Sequence, residues 1–424
     1  MRMADVPDSL TAFRRDLHAH AEAGWKEFRT TALVAAEMDA LGFELSLGSD
    51  AVAVEERLGV PSDAELAAAQ RRAREEGAPT AYLDRMDGVT GLVATKRYGD
   101  GPTIGVRVDM DALAREEAAD DDHRPAREGF ASRHPGEMHA CAHDGHTAIG
   151  VGIARRLDDS GFDGTLKLFF QPAEEGGRGG YPMSRTSHLD DVAYLFALHL
   201  GLDEPTGTII ASYDRPLANT KLDVRFRGEP AHAGGAPQAG RNALQALATA
   251  VTNLYAIPRH ADGTTRVNVG MVEADNAQNV IAEDARMRVE VRGETSALDE
   301  YMQAAAERIV DAAAQMHDVS VETSRYGQTT SFEGDAELAA HVATAAGTVG
   351  AVDTVTEQKA FGGSEDASYL IRRVQEAGGQ AVYVGIGASN VAGHHTAYFD
   401  IDEESLAIGA DVLAATVRRL AAEG

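Results

Sequence analysis

Apolar residues in the first forty positions recur at helical spacing. The pattern predicts helix over about 9–41, interrupted at Gly24. A capping-box sequence, Ser62-Asp63-Ala64-Glu65, predicts a second helix reaching about Gly77, inside a stretch of about 50–84 that reads as a surface insertion. Short apolar runs then predict strands at 91–98 and 103–110, with the turn residues Gly99-Asp100-Gly101-Pro102 between them. A polar, acidic loop is expected over about 115–137, and a helix from near Asp144. Residues 165–170 and 193–200 read as buried strands. This alternation predicts an α/β layer: a largely parallel or mixed sheet with helices on both faces.

The pattern changes near residue 215. Residues 221–228 alternate like a half-exposed strand, and 242–256 read as an amphipathic helix. Strands are predicted at 265–272 and 285–292, a helix at 297–317 and a strand at 319–326. A β-α-β-β-α-β order of about 110 residues makes a compact unit of ordinary domain size. From about 331 the alternation of helices and strands resumes, with a strand at 380–386. The expected organisation is a catalytic domain of residues 1–214 and 331–424, interrupted by a smaller domain at 215–330.

Composition narrows the function. The formal net charge of −28 excludes nucleic acid as a natural partner, because binding phosphates needs basic patches. No apolar run reaches the length of a membrane span, and the first residues lack an apolar signal core. The single cysteine excludes an intramolecular disulfide framework and fits a reducing cytoplasm. Lysine occurs only at 26, 96, 167, 221 and 359, leaving 34 of the 39 basic residues as arginine. An acid-rich, lysine-poor surface tolerates high salt, where screening weakens self-repulsion. A halophilic cytoplasm is the expectation, and it predicts a higher unfolding midpoint in molar than in millimolar KCl. Equal midpoints would leave GC-rich coding as the source of the lysine shortage.

The densest chemistry is Met138-His139-Ala140-Cys141-Ala142-His143-Asp144-Gly145-His146. A thiolate, imidazoles and a carboxylate together suit a zinc-like or manganese-like ion. Four predicted strands end in further polar groups. They lead into Asp109 and Asp111, into Gln171-Pro172-Ala173-Glu174-Glu175-Gly176-Gly177, into His199, and into Gly393-His394-His395-Thr396. Open α/β sheets place ligands at the carboxyl ends of their strands. If the four strands share a sheet, these groups converge near Cys141 and His143. Each alone has a plainer reading. His199 reads as a core histidine bonded to backbone, Glu174-Glu175 as a helix start, and Cys141 as a buried inert thiol. Asp109 and Asp111 alternate onto one strand face, which suits orienting a histidine ligand. His232, Asn279 and Arg292 read alone as surface residues, and Ser364 or Asp366 as a helix cap. No nucleophile elbow or P-loop is present.

Taken in order, MHACAHDGH, FQPAEEGG, ALHLG, HAGGAPQAGRNAL, GGSED and GHHTAYFD resemble the amidohydrolase branch of the aminoacylase and carboxypeptidase metallopeptidases. That branch holds hippurate, indole-acetyl-amino-acid and aminobenzoyl-glutamate hydrolases. The acidic connection and the 50–84 insertion look most like the aminobenzoyl-glutamate hydrolase subunits. The resemblance implies a site for two divalent ions, manganese or zinc. It matches Cys141, His143, Glu175, His199 and His395 to the ligands, with the neighbouring His394 leaving that last position open. It matches Glu174 to the general base and His232 to a histidine reaching the active site of the other protomer. Asn279 and Arg292 match positions holding the substrate's carboxylate. The small domain would serve as lid and dimerisation domain, in a homodimer or a dimer with a related subunit. The implied reaction is hydrolysis of an acyl or aroyl amide of an amino acid. A dipeptidase or carboxypeptidase with the same site, or a metal-binding protein without catalysis, stands as the alternative. Family members carry glycine where this chain has Ala142; the added methyl is expected to be harmless unless the backbone there needs a positive φ.

Overall fold

The computed structural model describes residues 7, 9–158 and 162–423. These form two compact units, one drawn from the described residues within 1–214, 332–361 and 366–424, the other of 215–331 and 362–365. In chain order the strands of the first unit begin with β1 (Glu44–Leu47), β2 (Leu92–Arg97) and β3 (Thr103–Asp109). They continue with β4 (Thr165–Gln171), β5 (Tyr194–Leu200) and β6 (Thr208–Asp214). The second unit holds β7 (Ala218–Arg227), β8 (Thr265–Glu273), β9 (Asp284–Gly293) and β10 (Ser320–Thr329). The chain then returns to the first unit for β11 (Thr354–Ala360) and β12 (Gln380–Ile386).

The first unit is built on a mixed sheet in the order β1-β2-β4-β3-β5-β12-β6-β11. Its four central strands, β4, β3, β5 and β12, are mutually parallel, so their carboxyl ends share one edge. Residues of period two explain why both faces are covered. Leu166, Leu168 and Phe170 of β4 face one core with Phe196, Leu198 and Leu200 of β5 and Val382, Val384 and Ile386 of β12. The intervening Phe169, Leu195, Ala197, Ala381 and Tyr383 face a second core on the opposite side. Helices His143–Leu157, Ala336–Ala346 and Glu404–Glu423 pack on the first face, and Ser368–Glu376 packs on the second. Strands β2 and β3, consecutive in sequence, are not neighbours, because β4 lies between them.

The second unit is an antiparallel sheet, β10-β7-β9-β8. One face is apolar: Leu222, Val224 and Phe226 of β7 and Met287, Val289 and Val291 of β9 pack under helices Ala243–Tyr255 and Ser296–Met316. The expected β-α-β-β-α-β order is present.

Local chemistry accounts for the element ends. Ser62 and Glu65 form the reciprocal capping box, opening the helix Asp63–Glu75. Asn242 and Thr295 cap the two helices of the small unit through their side chains. The N-terminal helical stretch splits into Leu10–Ala19 and Phe28–Ala40. The break is wider than a single glycine, and its left-handed residue is Trp25, at φ 68°, rather than Gly24. The acidic connection contains a short helix, Arg124–Glu128, started by Pro125 and closed by left-handed Gly129. No described helix is long and apolar enough to cross a membrane.

Candidate metal centre

The four parallel strands deliver their terminal residues to one edge, and the helix His143–Leu157 begins there. The Cys141 sulfur, a His143 ring nitrogen and a Glu175 carboxylate oxygen lie within 4.8 Å of one another. So do the Cys141 sulfur and ring nitrogens of His199 and His394. His199 Nε2 and His394 Nδ1 each stand 3.5 Å from the sulfur. His395 Nε2 lies 3.4 Å from Glu175 Oε1. One sulfur is thus common to two groups of donors.

The surrounding hydrogen bonds decide which ring nitrogens are available. His143 Nδ1 donates to the Asp111 backbone carbonyl at 2.9 Å, with the Asp111 carboxylate at 3.3 Å. Its Nε2 is buried and makes no hydrogen bond among the described residues. His199 Nδ1 donates to the Leu200 carbonyl at 2.7 Å, which leaves the Nε2 lone pair facing Cys141. His146 is different. Its Nδ1 bonds Asp109 at 2.6 Å and its Nε2 accepts the Leu200 N–H at 2.8 Å. Both nitrogens are used, so the proximity of Asp109, His143 and His146 is an internal network rather than a further cation site. Asp111 does more than orient a histidine. Its two carboxylate oxygens accept the backbone N–H groups of Glu174 and Glu175, at 2.9 and 3.0 Å. One aspartate therefore fixes both His143 and the turn carrying the glutamate pair.

Electrostatics favours a cation here. Burial pushes the Cys141 thiol above its ordinary pKa, and the Glu175 carboxylate adds to this. Hydrogen bonds with Cys141 and Glu175 raise His395 to about 10. A proton on His395 stands in for positive charge between a sulfur and a carboxylate. Burial, with His146 and His394 beside it, keeps His199 well below the usual histidine pKa, so its ring is neutral and ready to ligate. A thiolate, neutral imidazoles and a carboxylate, with an unclaimed buried ring nitrogen, fit a divalent cation of the zinc or manganese kind.

The backbone at this edge is strained. Ala142 (φ 65°), Ala173 (φ 51°) and His395 (φ 62°) are all left-handed without being glycine. The condition under which the extra methyl of Ala142 costs stability is met. Relief of about 1–2 kcal/mol on changing it to glycine is opposed by lost methyl burial of about 0.8 kcal/mol and by backbone entropy of similar size, so the terms nearly cancel.

Beneath the site lies a set of charges that the motifs did not reveal. Arg14 is fully buried and pairs with Asp144 at 2.7 Å, Asp400 at 3.0 Å and Glu403 at 3.4 Å. His18 bridges Asp144 and Glu117 at 2.8 and 2.9 Å. Asp144 is the residue after His143, so this network seats the first turn of the helix His143–Leu157. A second buried cation, Arg107, donates to Gln171, Asp109 and Asp366. Asp366 also accepts the N–H groups of Gly179 and Gly180, at 3.0 and 2.7 Å. Its carboxylate thus meets the N-terminus of the short helix Gly180–Ser184, far from it in sequence. His139, beside Cys141 in sequence, stays outside the donor groups; burial lowers its pKa to about 4 and neither ring nitrogen bonds a described residue.

The remaining sequence candidates lie in the second unit. His232 is exposed, and its Nδ1 accepts the N–H groups of Gly234 and Gly235 at 3.1 and 3.0 Å. Asn279 is its neighbour: the Ala233 N–H donates to the Asn279 carbonyl at 2.9 Å. Arg292 lies on β9, opposite Asn219 of β7, and donates to Glu290 at 2.5 Å. Two of the three substrate-side candidates are thus adjacent within this unit, and Arg292 has an intrachain carboxylate partner.

Comparison with known proteins follows the same lines. The description "Peptidase family M20/M25/M40" matches residues 105–419. The chain is 45% identical over 96% of its length to indole-3-acetyl-aspartic acid hydrolase of Enterobacter agglomerans, covering 94% of that protein. It is 44% identical, with the same coverage of both chains, to a p-aminobenzoyl-glutamate hydrolase subunit of Escherichia coli (strain K12). Among solved structures, an aminobenzoyl-glutamate utilization protein from Klebsiella pneumoniae superposes with a TM-score of 0.84 at 38% identity, covering 97% of this chain and 95% of that one.

Proposed function

This chain belongs to peptidase family M20/M25/M40 and is a hydrolase of amide bonds, and from that premise we propose that it cleaves an aryl-acyl group from an acidic amino acid. The observation carrying this reading is the convergence of Cys141, His143, Glu175 and His199 on one sheet edge, with Glu174 beside them. The substrate class rests on the two relatives' names, which share an aromatic acyl group and a dicarboxylic amino acid.

Two divalent ions, manganese or zinc, would lower the pKa of a water and polarise the scissile carbonyl. Cys141, His143, Glu175, His199 and His395 would hold them. Glu174 takes the proton of the attacking water and passes it to the leaving amine. Asp111 holds Glu174 and His143 in mutual register through the bonds described above. His232 is assigned the stabilisation of the developing oxyanion in a second copy of the chain. Arg292 and Asn279 are assigned the substrate's carboxylate, for which a guanidinium fork is suited. The second unit would then be the lid and dimerisation domain, and the acid-rich composition an adaptation to a salt-rich cytoplasm.

A substrate panel on metal-reconstituted protein tests the reading. Aminobenzoyl-glutamate and indole-acetyl-aspartate should show kcat/KM at least about tenfold above acetyl-amino acids, hippurate and dipeptides; one bidentate contact to the second carboxylate, at about 1.5–3 kcal/mol, supplies that margin. A preference for dipeptides would replace the proposal with a dipeptidase. Loss of all turnover with metal bound would leave a binding protein.

A further inference from the structure

Two adjacent histidines, His394 and His395, stand near one sulfur, and only one is matched to a ligand. The hydrogen bonds around His394 separate their roles. The turn after β5 runs through Gly201 (φ 82°), Leu202 (φ 53°) and Asp203 (φ 63°), three consecutive left-handed residues. That conformation aims the Leu202 N–H at His394 Nε2, at 3.0 Å. A backbone N–H only donates, so Nε2 holds a lone pair. The single ring proton is then on Nδ1, and Nδ1 is the atom 3.5 Å from Cys141 Sγ. The ring has little freedom to turn over. Phe399 packs against it with ring centroids 4.6 Å apart. His395, by contrast, directs Nε2 toward Glu175.

We propose that His394 is a positioning residue that donates an N–H···S hydrogen bond from Nδ1 to the Cys141 thiolate, beside a His395 that keeps the ligand role assigned to it above. The inference rests on the dinuclear reading of the site and deepens it. A hydrogen bond to a ligating sulfur draws charge from it and fixes the direction of its lone pairs. His394 therefore acts on metal affinity and on the electronic character of the thiolate, not on ligand count. Partners of this kind commonly change metal affinity by about 10–100-fold.

Cobalt(II) alone is the probe, read by bound metal per chain and by the thiolate-to-cobalt charge-transfer absorption. Two substitutions divide the functions of the ring. H394N keeps a donor near the position of Nδ1 and loses the acceptor for Leu202. H394Q keeps an acceptor near Nε2 and loses the donor to sulfur. H394Q should bind two cobalt ions about 10–100-fold more weakly, with a displaced charge-transfer band, whereas H394N keeps the wild-type band. H395A should bind one ion fewer. Should H394Q not fold, H394A replaces it with the same expected band shift. A wild-type band in the donor-less variant would overturn the proposal. So would loss of an ion from H394Q together with two ions in H395A. A wild-type protein that takes up no cobalt would end the dinuclear reading itself; two ions bound with no hydrolysis would end only the proposed function.

Discussion

Glu174→Gln is expected to lower kcat by about 10²–10⁴-fold, the usual contribution of a positioned proton-transfer group, with metal content unchanged. The isosteric amide keeps the shape of the side chain and cannot accept the water's proton. The carboxylate sits beside the donors without belonging to either group that shares the Cys141 sulfur: its Oε2 is 4.0 Å from His143 Nε2. Its backbone is held independently of the side chain, by the Glu174 N–H to Asp111 bond. Substitution should therefore leave the turn and Glu175 in place. Single-turnover hydrolysis with parallel metal analysis separates the outcomes. A rate within about tenfold of wild type, below the range for such a group, removes Glu174 from proton transfer. A lost metal ion shows instead that it is a ligand.

Arg14→Met is expected to destabilise the first unit by about 3–5 kcal/mol, the cost of stranding buried charge. The guanidinium is fully buried and serves three carboxylates at once, so methionine fills the volume and leaves Asp144 and Asp400 without their main counter-ion. The effect depends on pH in a fixed direction. Burial alone would raise both aspartates, but Arg14 and its neighbours hold them below the ordinary value of 3.8. A depressed carboxylate gives stability that is complete above its unfolded pKa and is lost as pH falls through the folded value. The gap between wild type and variant should be widest above about pH 5 and should shrink on acidification below about pH 4. Denaturant unfolding at pH 7 and pH 3.5 reads both. A cost below about 1 kcal/mol at pH 7, the range of a surface pair, would mean that solvent reaches the carboxylates when Arg14 is removed.

Much of this was legible in the sequence because period and motif agree. Strand β12 reads as a continuous apolar run bounded by glycines, and its observed ends are those of the reading, 380–386. The helices of the small unit carry their caps in the sequence, at Asn242 and Thr295. Strand β11 has no signature in the sequence for a physical reason: TVTEQKA lies exposed at the sheet edge, so no apolar pattern marks it. Four-residue β1 is another edge strand and too short to show a period. The donor residues were visible as strand-end clusters, since a parallel sheet must bring such ends together. The separation of function within them was not visible. His146 and His394 carry the same side chain as His143 and His395, and only the Leu200 and Leu202 N–H groups, backbone atoms with no sequence signature, show which ring nitrogens are already used. Arg14 likewise reads as a polar position on an amphipathic helix. Its burial depends on Asp144, Asp400 and Glu403 arriving from far along the chain.

Anomalous diffraction from crystals of the zinc-loaded protein tests the central claim most directly. Two peaks about 3.5–4 Å apart, with Cys141 Sγ about 2.3 Å from at least one of them, are the result predicted. A single peak, or a pair with that sulfur outside both coordination shells, would contradict it.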